Sequence, residues 1–213
     1  MRTRSDGRRA GTRGVPRSVR EPLILSVAGQ VFADDGYERA SMDRIADLAE
    51  VSKPMLYAYF GSKEGLYVAY IERNGHELVQ RLVSADRSDA SQTVRLRVLI
   101  DEFLGFVEER RDGWTVLFHE VNASRPLVEL VTQLRGQLAA EIAGMLEAGT
   151  SSWAGLDAPA SDGVAHAIVG AGESLANWWL EHPAVPRDQV AEWFVGLARA
   201  AIASAGPRAG QAA

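Results

Sequence analysis

Lysine and tyrosine side chains that can bind nucleic acid are concentrated in one short segment, Val51–Tyr67 (VSKPMLYAYFGSKEGLY). Lys53 and Lys63 can supply positive charge to phosphate groups. The hydroxyls of Tyr57 and Tyr59 are neutral phosphate donors, and their rings can contact the methyl groups of thymine. The residue types therefore favour phosphate and base contacts as the chemistry of this segment.

Two short helices joined by a turn are predicted to position these side chains. Ser41 can cap a helix over residues 42–49. A second helix over residues 53–60, with Ser52 as its predicted cap, is compatible with Pro54 because proline is tolerated in a first turn. This arrangement is typical of a helix-turn-helix, whose second helix enters the major groove of DNA.

The second of these helices is predicted to have a buried face and an exposed face. Leu56 and Phe60, four residues apart, form its core pair. The side chains left on the exposed face, which would meet DNA, are Lys53, Pro54, Met55, Tyr57 and Tyr59. Gly61 is predicted to end the helix.

Longer helices are predicted on both sides of this motif. One starts at Arg20 and ends at residues 34–36, where Gly36 fits a left-handed position after a helix. The other is capped by Ser62 and runs to about Val83. It places Lys63 near a helix N-terminus, where a cation beside free backbone N–H groups can clamp a phosphate.

Residues 20–70 resemble the DNA-binding domain of the TetR family of transcriptional regulators, with the helix-turn-helix at residues 41–60. The matching words are Phe32-x3-Gly36-Tyr37, Ser41-Met42-x2-Ile45-Ala46, Val51-Ser52-Lys53-Pro54-x-Leu56-Tyr57-x-Tyr59-Phe60 and Ser62-Lys63-Glu64-x-Leu66. One position departs from the pattern, because the family usually has glycine where this chain has Glu50. A positive φ at this position would cost a residue other than glycine about 1 kcal/mol.

The resemblance implies an all-α protein of about nine helices. An N-terminal three-helix helix-turn-helix domain would join a C-terminal helical bundle that binds a ligand and dimerises. The DNA-binding residues that it implies are Ser41, Met42, Ser52, Lys53, Pro54, Met55, Tyr57, Tyr59 and Lys63. Of these, Ser41, Tyr59 and Lys63 would contact phosphate, whereas residues 53–55 and 57 would face bases.

The rest of the chain shows helical periodicity and no alternating strand pattern. Further helices are predicted over residues 93–110, 113–120, 124–148, 160–182 and 187–204, with a loop over residues 149–158. The predicted organisation is a disordered arginine-rich arm over residues 1–19, the helix-turn-helix domain over 20–66, an effector-binding and dimerisation domain over 67–205, and a disordered tail over 206–213. Arg13 and Arg17 of the arm are candidate DNA contacts, with a merely solubilising tail as the alternative.

Charged and aromatic residues are distributed unevenly along the 213 residues. Residues 1–70 hold 11 Lys and Arg against 9 Asp and Glu, and the remainder holds 12 against 19, so the net charge is −5. All five tyrosines lie in the first part and all five tryptophans in the second, which indicates two regions with different duties. The sequence has no cysteine and no apolar run of about 18 residues, so it predicts a cytoplasmic protein without disulfides or a membrane span.

Two further sets of residues in the C-terminal region are candidates for sites. An effector pocket is predicted from Phe103, Phe106, Trp114, Phe118, His119, Glu173, Asn177 and Trp178, whose tryptophans favour an apolar or aromatic effector. The resemblance implies a four-helix dimer interface built from the last two helices of each subunit. Its candidates are Ala167, Ala171, Ser174, Trp178, Val190, Phe194, Leu197 and Ala201, with packing inside one chain as the alternative.

The sequence favours a DNA-binding regulator over an enzyme. No glycine-rich phosphate loop, GxSxG elbow, HExxH motif or carboxylate–histidine cluster stands out, and the four histidines lack metal-ligand spacing. No cofactor or metal is therefore expected. The resemblance implies a homodimeric repressor that a small, largely apolar or aromatic effector releases from a palindromic operator. The alternative is a regulator controlled by a protein partner without a small ligand, and an all-helical enzyme is disfavoured.

Overall fold

The computed structural model describes residues 16–86, 90–111, 113–114, 125–147 and 156–206. Within these ranges the chain forms helices and no β-strand, which confirms the predicted all-α class. Eight helices have both ends in the described part: α1 (Arg17–Arg39), α2 (Met42–Leu48), α3 (Lys53–Phe60), α4 (Lys63–Ala85), α5 (Gln92–Glu109), α6 (Arg125–Glu147), α7 (Ala158–Glu181) and α8 (Arg187–Ala205). Most of the helix predicted over residues 113–120 lies outside the described residues, so the count is eight instead of about nine.

The chain divides into two compact units, a first unit Met1–Ile71 and a second unit Glu72–Ala213. The division falls within α4, whereas the predicted domain boundary lay between residues 66 and 67. α1 begins at Arg17, so residues 17–19, which were expected to belong to a disordered arm, are helical. In the part of the chain that the structure describes, no helix is long and apolar enough to cross a membrane.

The core of the first unit is formed by apolar side chains from its four helices. Ile24, Ile45, Leu56 and Leu66, one from each of α1 to α4, are completely buried. The ring of Phe32 packs edge-on against Tyr67, with 4.8 Å between ring centroids. Tyr67 and Tyr70 are therefore core residues of this unit.

Two of the three predicted serine caps are present. The Ser41 Oγ accepts hydrogen bonds from the backbone N–H groups of Asp43 (3.2 Å) and Arg44 (3.5 Å), and the Ser62 Oγ accepts one from Gly65 (2.9 Å). Ser52 precedes α3 but its side chain makes no capping hydrogen bond, so that prediction is wrong. The first turn of α3 contains Pro54, which has no N–H and therefore needs no cap.

The turn between α2 and α3 has a positive φ at Glu50, the position at which the sequence departs from the usual glycine. Glu50 has a φ of 54°, the only positive φ at a non-glycine position in the described residues. The backbone N–H of Val51 donates to the Ala46 carbonyl at 3.0 Å and closes the turn. The carboxylate-bearing residue thus occupies a left-handed position that favours glycine.

The second unit is a bundle in which α6 packs against α7, and α8 packs against both α5 and α7. Its largest fully buried side chains include Trp114, Phe106 and Leu146. Gly172 in α7 allows a close approach of α8, since a Cβ atom there would lie 2.9 Å from the Cζ atom of Phe194. The helices of this unit therefore meet through apolar side chains and close glycine contacts such as this one.

Candidate nucleic-acid interface and ligand cavity

The exposed side of α3 carries the side chains that the sequence assigned to DNA. Lys53, Pro54 and Tyr57 are exposed, and Met55 and Tyr59 are half-buried. Leu56, between them, is completely buried and anchors α3 to the core of the first unit. Helix α3 thus presents one polar and aromatic face, as its sequence pattern predicted.

Lys53, at the start of α3, forms an ion pair with an acidic residue of α2. Its Nζ atom lies 2.9 Å from the Asp43 carboxylate, and both side chains are exposed. The hydrogen bond to Asp43, reinforced by the charge of that carboxylate, raises the pKa of Lys53. A DNA phosphate would have to compete with Asp43 for this ammonium group, so the ion pair moderates the attraction that Lys53 offers.

The Tyr59 side chain is flanked by two arginines of α1. The Arg20 Nη1 atom donates a hydrogen bond to the Tyr59 hydroxyl at 3.0 Å, and the Arg17 guanidinium lies 4.9 Å from the centre of its ring. Arg20 is itself buried, and it lies on the same stripe of α1 as Ile24 and Ala28. The sequence analysis did not include Arg20 in the interface, although an arginine on an otherwise apolar stripe was a visible signal.

Lys63 was expected to clamp a phosphate, but in the structure its ammonium group binds backbone carbonyls of the same unit. Its Nζ atom donates to the backbone carbonyls of Tyr37 (2.7 Å), Glu38 (3.0 Å) and Ala40 (3.4 Å). It also lies 4.6 Å from the centre of the Tyr37 ring. Because an ammonium group has three hydrogen atoms, these carbonyls satisfy it, and Lys63 closes the end of α1 instead of facing DNA.

The remaining predicted DNA contacts divide according to exposure. Ser41 and Ser52 are exposed, at the N-terminal ends of α2 and α3. Met42 is only 6% exposed, so its side chain packs in the core and the expected side-chain contact with DNA is corrected. For the exposed positions, DNA contact stays a prediction.

The second unit contains a cavity with apolar walls. Its lining residues come from α4 (Leu78, Val79, Leu82, Val83), α5 (Arg95, Leu96, Leu99, Ile100, Phe103), α6 (Leu138, Glu141, Ile142, Met145, Leu146), α7 (Ile168, Val169, Gly172, Glu173) and α8 (Phe194, Ala198), together with Trp114. The centres of water molecules could occupy about 110 Å³ of it. One water needs only about 10–15 Å³ on that measure, so the cavity can hold an organic group.

Two of the three charged residues at the cavity are held by partners, and the third, Glu141, is exposed. The Arg95 guanidinium forms a two-pronged contact with the Asp86 carboxylate. The Glu173 carboxylate accepts a hydrogen bond from the Arg135 Nε atom at 2.8 Å. Burial raises the pKa of Glu173, and the hydrogen bond to Arg135 opposes that shift. Carbon atoms therefore form most of the surface that a ligand would meet.

The structure places the predicted pocket residues in different environments. Phe103, Trp114 and Glu173 line the cavity. Phe106 is fully buried, and Asn177 accepts a hydrogen bond from the Trp114 Nε1 atom at 2.7 Å, so both support the wall without lining it. The remaining three are Trp178, which is exposed and stacks on His182, and Phe118 and His119, which lie outside the described residues.

Sequence reasoning missed most of the cavity wall, because the wall is aliphatic. Leu78 and Leu82 of α4, Leu99 of α5 and Ile142 of α6 all face the cavity. A stripe of leucine and isoleucine at helical spacing is the ordinary pattern of a core, so nothing local distinguishes a cavity wall from a packed interior.

The predicted dimer residues also divide into two groups. Ala167, Ser174, Trp178 and Leu197 are exposed, and Ala171 and Ala201 are half-buried. Val190 (0% exposed) and Phe194 (4%) instead face the core of their own unit, which corrects their assignment to an interface.

An exposed apolar face remains on α7 and α8. Trp178 and Trp193 lie side by side, with 5.9 Å between ring centroids. Leu197, one turn after Trp193, is 51% exposed. A Cβ atom at Gly170 or Gly196 would meet nothing within 4 Å, so the backbone on this face is open to close approach.

Among the described residues, no group of three or more histidine, aspartate or glutamate side chains could hold a metal ion. His76, His166 and His182 each place their Nδ1 atom within 2.9 Å of the backbone carbonyl four residues earlier. The Nδ1 atoms of these histidines are therefore engaged by backbone carbonyls four residues earlier in the chain.

Comparison with known proteins gives matches over both units. Residues 24–70 match the family described as "Bacterial regulatory proteins, tetR family", and residues 92–201 match "Tetracyclin repressor-like, C-terminal domain". The chain is 33% identical to the HTH-type transcriptional activator FasR of Mycolicibacterium smegmatis, across 90% of this chain and 86% of FasR.

Solved structures show the same fold. A TetR-like transcriptional regulator from Rhodococcus sp. RHA1 aligns with a TM-score of 0.72 and 36% identity, over 89% of this chain and 98% of the other. The regulator FadR from Bacillus subtilis, in complex with stearoyl-CoA, aligns with a TM-score of 0.67 and 17% identity, over 85% and 95%. At that identity the similarity to FadR is one of fold alone.

Proposed function

Because this chain belongs to the TetR family of transcriptional regulators, we propose that it is a homodimer that binds a palindromic operator and is released from it by a small apolar effector. The observation that carries the DNA-binding part is the exposed face of α3, with Lys53 and Tyr57 beside the anchored Tyr59. A short helix that is anchored by the buried Leu56 and presents such a face suits the major groove.

Selection of DNA by the protein tests this part directly. The full chain is incubated with a pool of random duplexes, and the bound fraction is amplified over several rounds. Enrichment of one inverted repeat with half-site centres about 34–36 Å apart supports the proposal. Recovery of no common sequence, or equal affinity for the selected duplex and its scrambled version, would contradict it.

The cavity of the second unit supports an effector that is mainly hydrocarbon. Two of its three charged residues are tied to Asp86 and Arg135 and the third, Glu141, is exposed, so a buried polar group on the ligand would meet few partners. Burying such a group without a hydrogen bond is costly, and this favours an acyl chain or a similar apolar body whose polar end stays outside. Stearoyl-CoA, which FadR binds, has this character.

The effector proposal is tested with stearoyl-CoA and 1-dodecanol as probes and free coenzyme A as the control. An apolar ligand should raise the unfolding temperature and release the selected duplex, whereas coenzyme A should do neither. The substitution Ala198→Leu fills the cavity and should weaken both effects, whereas Ala140→Leu, on the exposed side of α6, should not. No response to either probe, or equal responses from both variants, would contradict a ligand in this cavity.

The exposed face of α7 and α8 supports the homodimer. Trp178, Trp193 and Leu197 form a contiguous apolar surface, which is unusual on a monomer and typical of an interface. Sedimentation of the wild type and of Leu197→Glu tests this. We expect a dimer that the charged residue dissociates, and a wild-type monomer at micromolar concentration would overturn the proposal.

Activation of transcription is the second candidate for the direction of control, because the relative FasR is named as an activator. A reporter gene placed behind the selected operator distinguishes the two. Repression predicts lower expression when the protein is present, and activation predicts higher expression. The cavity favours either of these over control by a protein partner alone.

A further inference from the structure

We propose that Arg20 of α1 is a positioning residue for DNA recognition, which fixes the Tyr59 hydroxyl so that its proton is directed to a DNA phosphate. The inference rests on the DNA-binding function proposed above. It assigns part of the recognition to a residue that lies outside the helix-turn-helix, in the core of the first unit.

The direction of the hydrogen bond between the two side chains follows from their chemistry. The Arg20 Nη1 atom lies 3.0 Å from the Tyr59 Oη atom. A guanidinium group can only donate, so the phenolic oxygen must accept here. The O–H proton of Tyr59 is therefore not used in this contact, and a phosphate oxygen is a suitable acceptor for it.

The burial of Arg20 supports a role other than packing. Its side chain occupies the position on α1 one turn before Ile24, and the residue is only 8% exposed. A buried charge costs free energy unless it is hydrogen-bonded, and an apolar side chain could fill such a position without that cost. The guanidinium instead contacts two residues of α3, because the same Nη1 atom lies 3.4 Å from the Met55 Sδ atom.

A positive charge at the hydroxyl oxygen strengthens the phenol as a phosphate donor. The Arg20 guanidinium contacts this oxygen, and the Arg17 guanidinium, which is paired with Glu21, lies 4.9 Å from the ring centre. A phenol whose oxygen already accepts from a cation becomes a better donor, since hydrogen bonds in a chain polarise one another. Arg20 thereby supports a phosphate contact without reaching the DNA itself.

The contact with Met55 extends this positioning to the side of α3 that the sequence assigned to bases. One arginine nitrogen orients the phosphate donor Tyr59 and the neighbouring thioether together. The two positions lie four residues apart and therefore on one face of α3. Loss of the arginine should then affect both the affinity and the preference at the base facing Met55.

The test is a double-mutant cycle on the full chain, with the duplex selected from random DNA as the probe. Arg20→Gln and Tyr59→Phe should each weaken binding by about tenfold or more, the effect of losing a charge-assisted hydrogen bond. If Arg20 acts through Tyr59, the double variant should bind about as well as the weaker single variant. A loss in the double variant equal to the product of the two single losses would overturn the proposal.

The salt dependence separates positioning from direct contact. Because the Tyr59 phenol is neutral, a residue that acts through it leaves the slope of log affinity against log salt unchanged, whereas each lost phosphate contact from a lysine or arginine lowers its magnitude by about 0.9. A lowered slope for Arg20→Gln would make Arg20 a direct phosphate contact and contradict the positioning role. Arg97→Gln, an equal loss of charge in the second unit, controls for net charge.

Stability is checked by thermal unfolding of every variant. If Arg20→Gln does not fold, Arg20→Lys takes its place in the cycle, because lysine keeps the charge but lacks the planar guanidinium group. Tyr59→Phe keeps Arg20 and decides whether the hydroxyl matters, so an unchanged affinity for this variant overturns the proposal. Failure of the wild type to select any sequence would instead contradict the DNA-binding function itself.

Discussion

The two units differ in what surrounds their candidate sites. In the first unit, the face of α3 that would meet DNA keeps charge exposed, since Lys53 is exposed even though it is paired with Asp43. In the second unit, apolar side chains form most of the cavity wall, and two of its three charged residues are held by partners, as Glu173 is by Arg135. A site for a charged polymer keeps charge at its surface, whereas a site for an apolar ligand is built from buried hydrocarbon.

This difference predicts that the second unit depends most on buried volume. Trp114→Ala removes a fully buried indole and its 2.7 Å hydrogen bond to Asn177, so we expect a loss of about 3–5 kcal/mol in the free energy of unfolding. All five tryptophans lie in this unit, so the fluorescence of the four that remain in the variant reports its unfolding in urea. Val94→Ala, at a 51% exposed position of the same unit that lies outside the proposed interface, is the control and should cost much less. Equal losses would show that buried volume is not what distinguishes the cavity wall.

A pair of glycine substitutions tests the packing of both units with opposite expected signs. At Gly29 in α1, a Cβ atom would lie 2.3 Å from the Tyr70 ring, so Gly29→Ala should destabilise the first unit by about 1–3 kcal/mol. At Gly136 in α6 a Cβ atom meets nothing within 4 Å, so Gly136→Ala should stabilise the second unit by up to about 1 kcal/mol. Circular dichroism follows the unfolding of both helical units. Two effects of the same sign would contradict the expected difference between the crowded Gly29 and the open Gly136.

The strained turn of the first unit gives a smaller effect. Glu50→Gly should relieve the cost of a φ of 54° and stabilise this unit by up to about 1 kcal/mol, less the greater freedom that glycine has in the unfolded chain. Glu50→Ala keeps the strain and serves as the control. Slower hydrogen exchange of the α2 and α3 amides would report the gain. Equal exchange in the two variants would show that the turn stores little strain.

The first unit could be predicted from sequence in more detail than the second, because its determinants are local. The caps at Ser41 and Ser62 follow from residues within a few positions of each other, and the positive φ at Glu50 was expected from the resemblance to the family. The bond between Arg20 and Tyr59 joins residues 39 positions apart, and no periodicity predicts it. The same limit applied to Lys63, whose carbonyl partners lie 23 to 26 positions earlier in the sequence.

In the second unit, helix type and approximate bounds followed from periodicity, but the site did not. A cavity forms where helices distant in sequence fail to fill the space between them. The prediction favoured aromatic residues, and Phe103 and Trp114 do line the cavity. The aliphatic wall from α4 and α6 was missed, since it depends on how the helices assemble and not on the pattern of any one of them.

The smallest expected effect concerns the charged pair at the cavity, and it depends on pH. Burial holds the pKa of Glu173 above its ordinary value of 4.5, so between these two values the folded protein binds more protons than the unfolded chain. The contribution of Glu173 to the free energy of unfolding is then greatest below the ordinary pKa, and it is lost as the pH rises through the raised value. Glu173→Gln cannot titrate and should remove this fall, which unfolding in urea at pH 4 to 7, followed by tryptophan fluorescence, would measure. Asp162→Asn, at an exposed carboxylate of the same helix, should leave the pH dependence as in the wild type. If Glu173→Gln retains the wild-type pH dependence, the ion pair with Arg135 outweighs burial, and the cavity is less hostile to charge than the contrast between the two units implies.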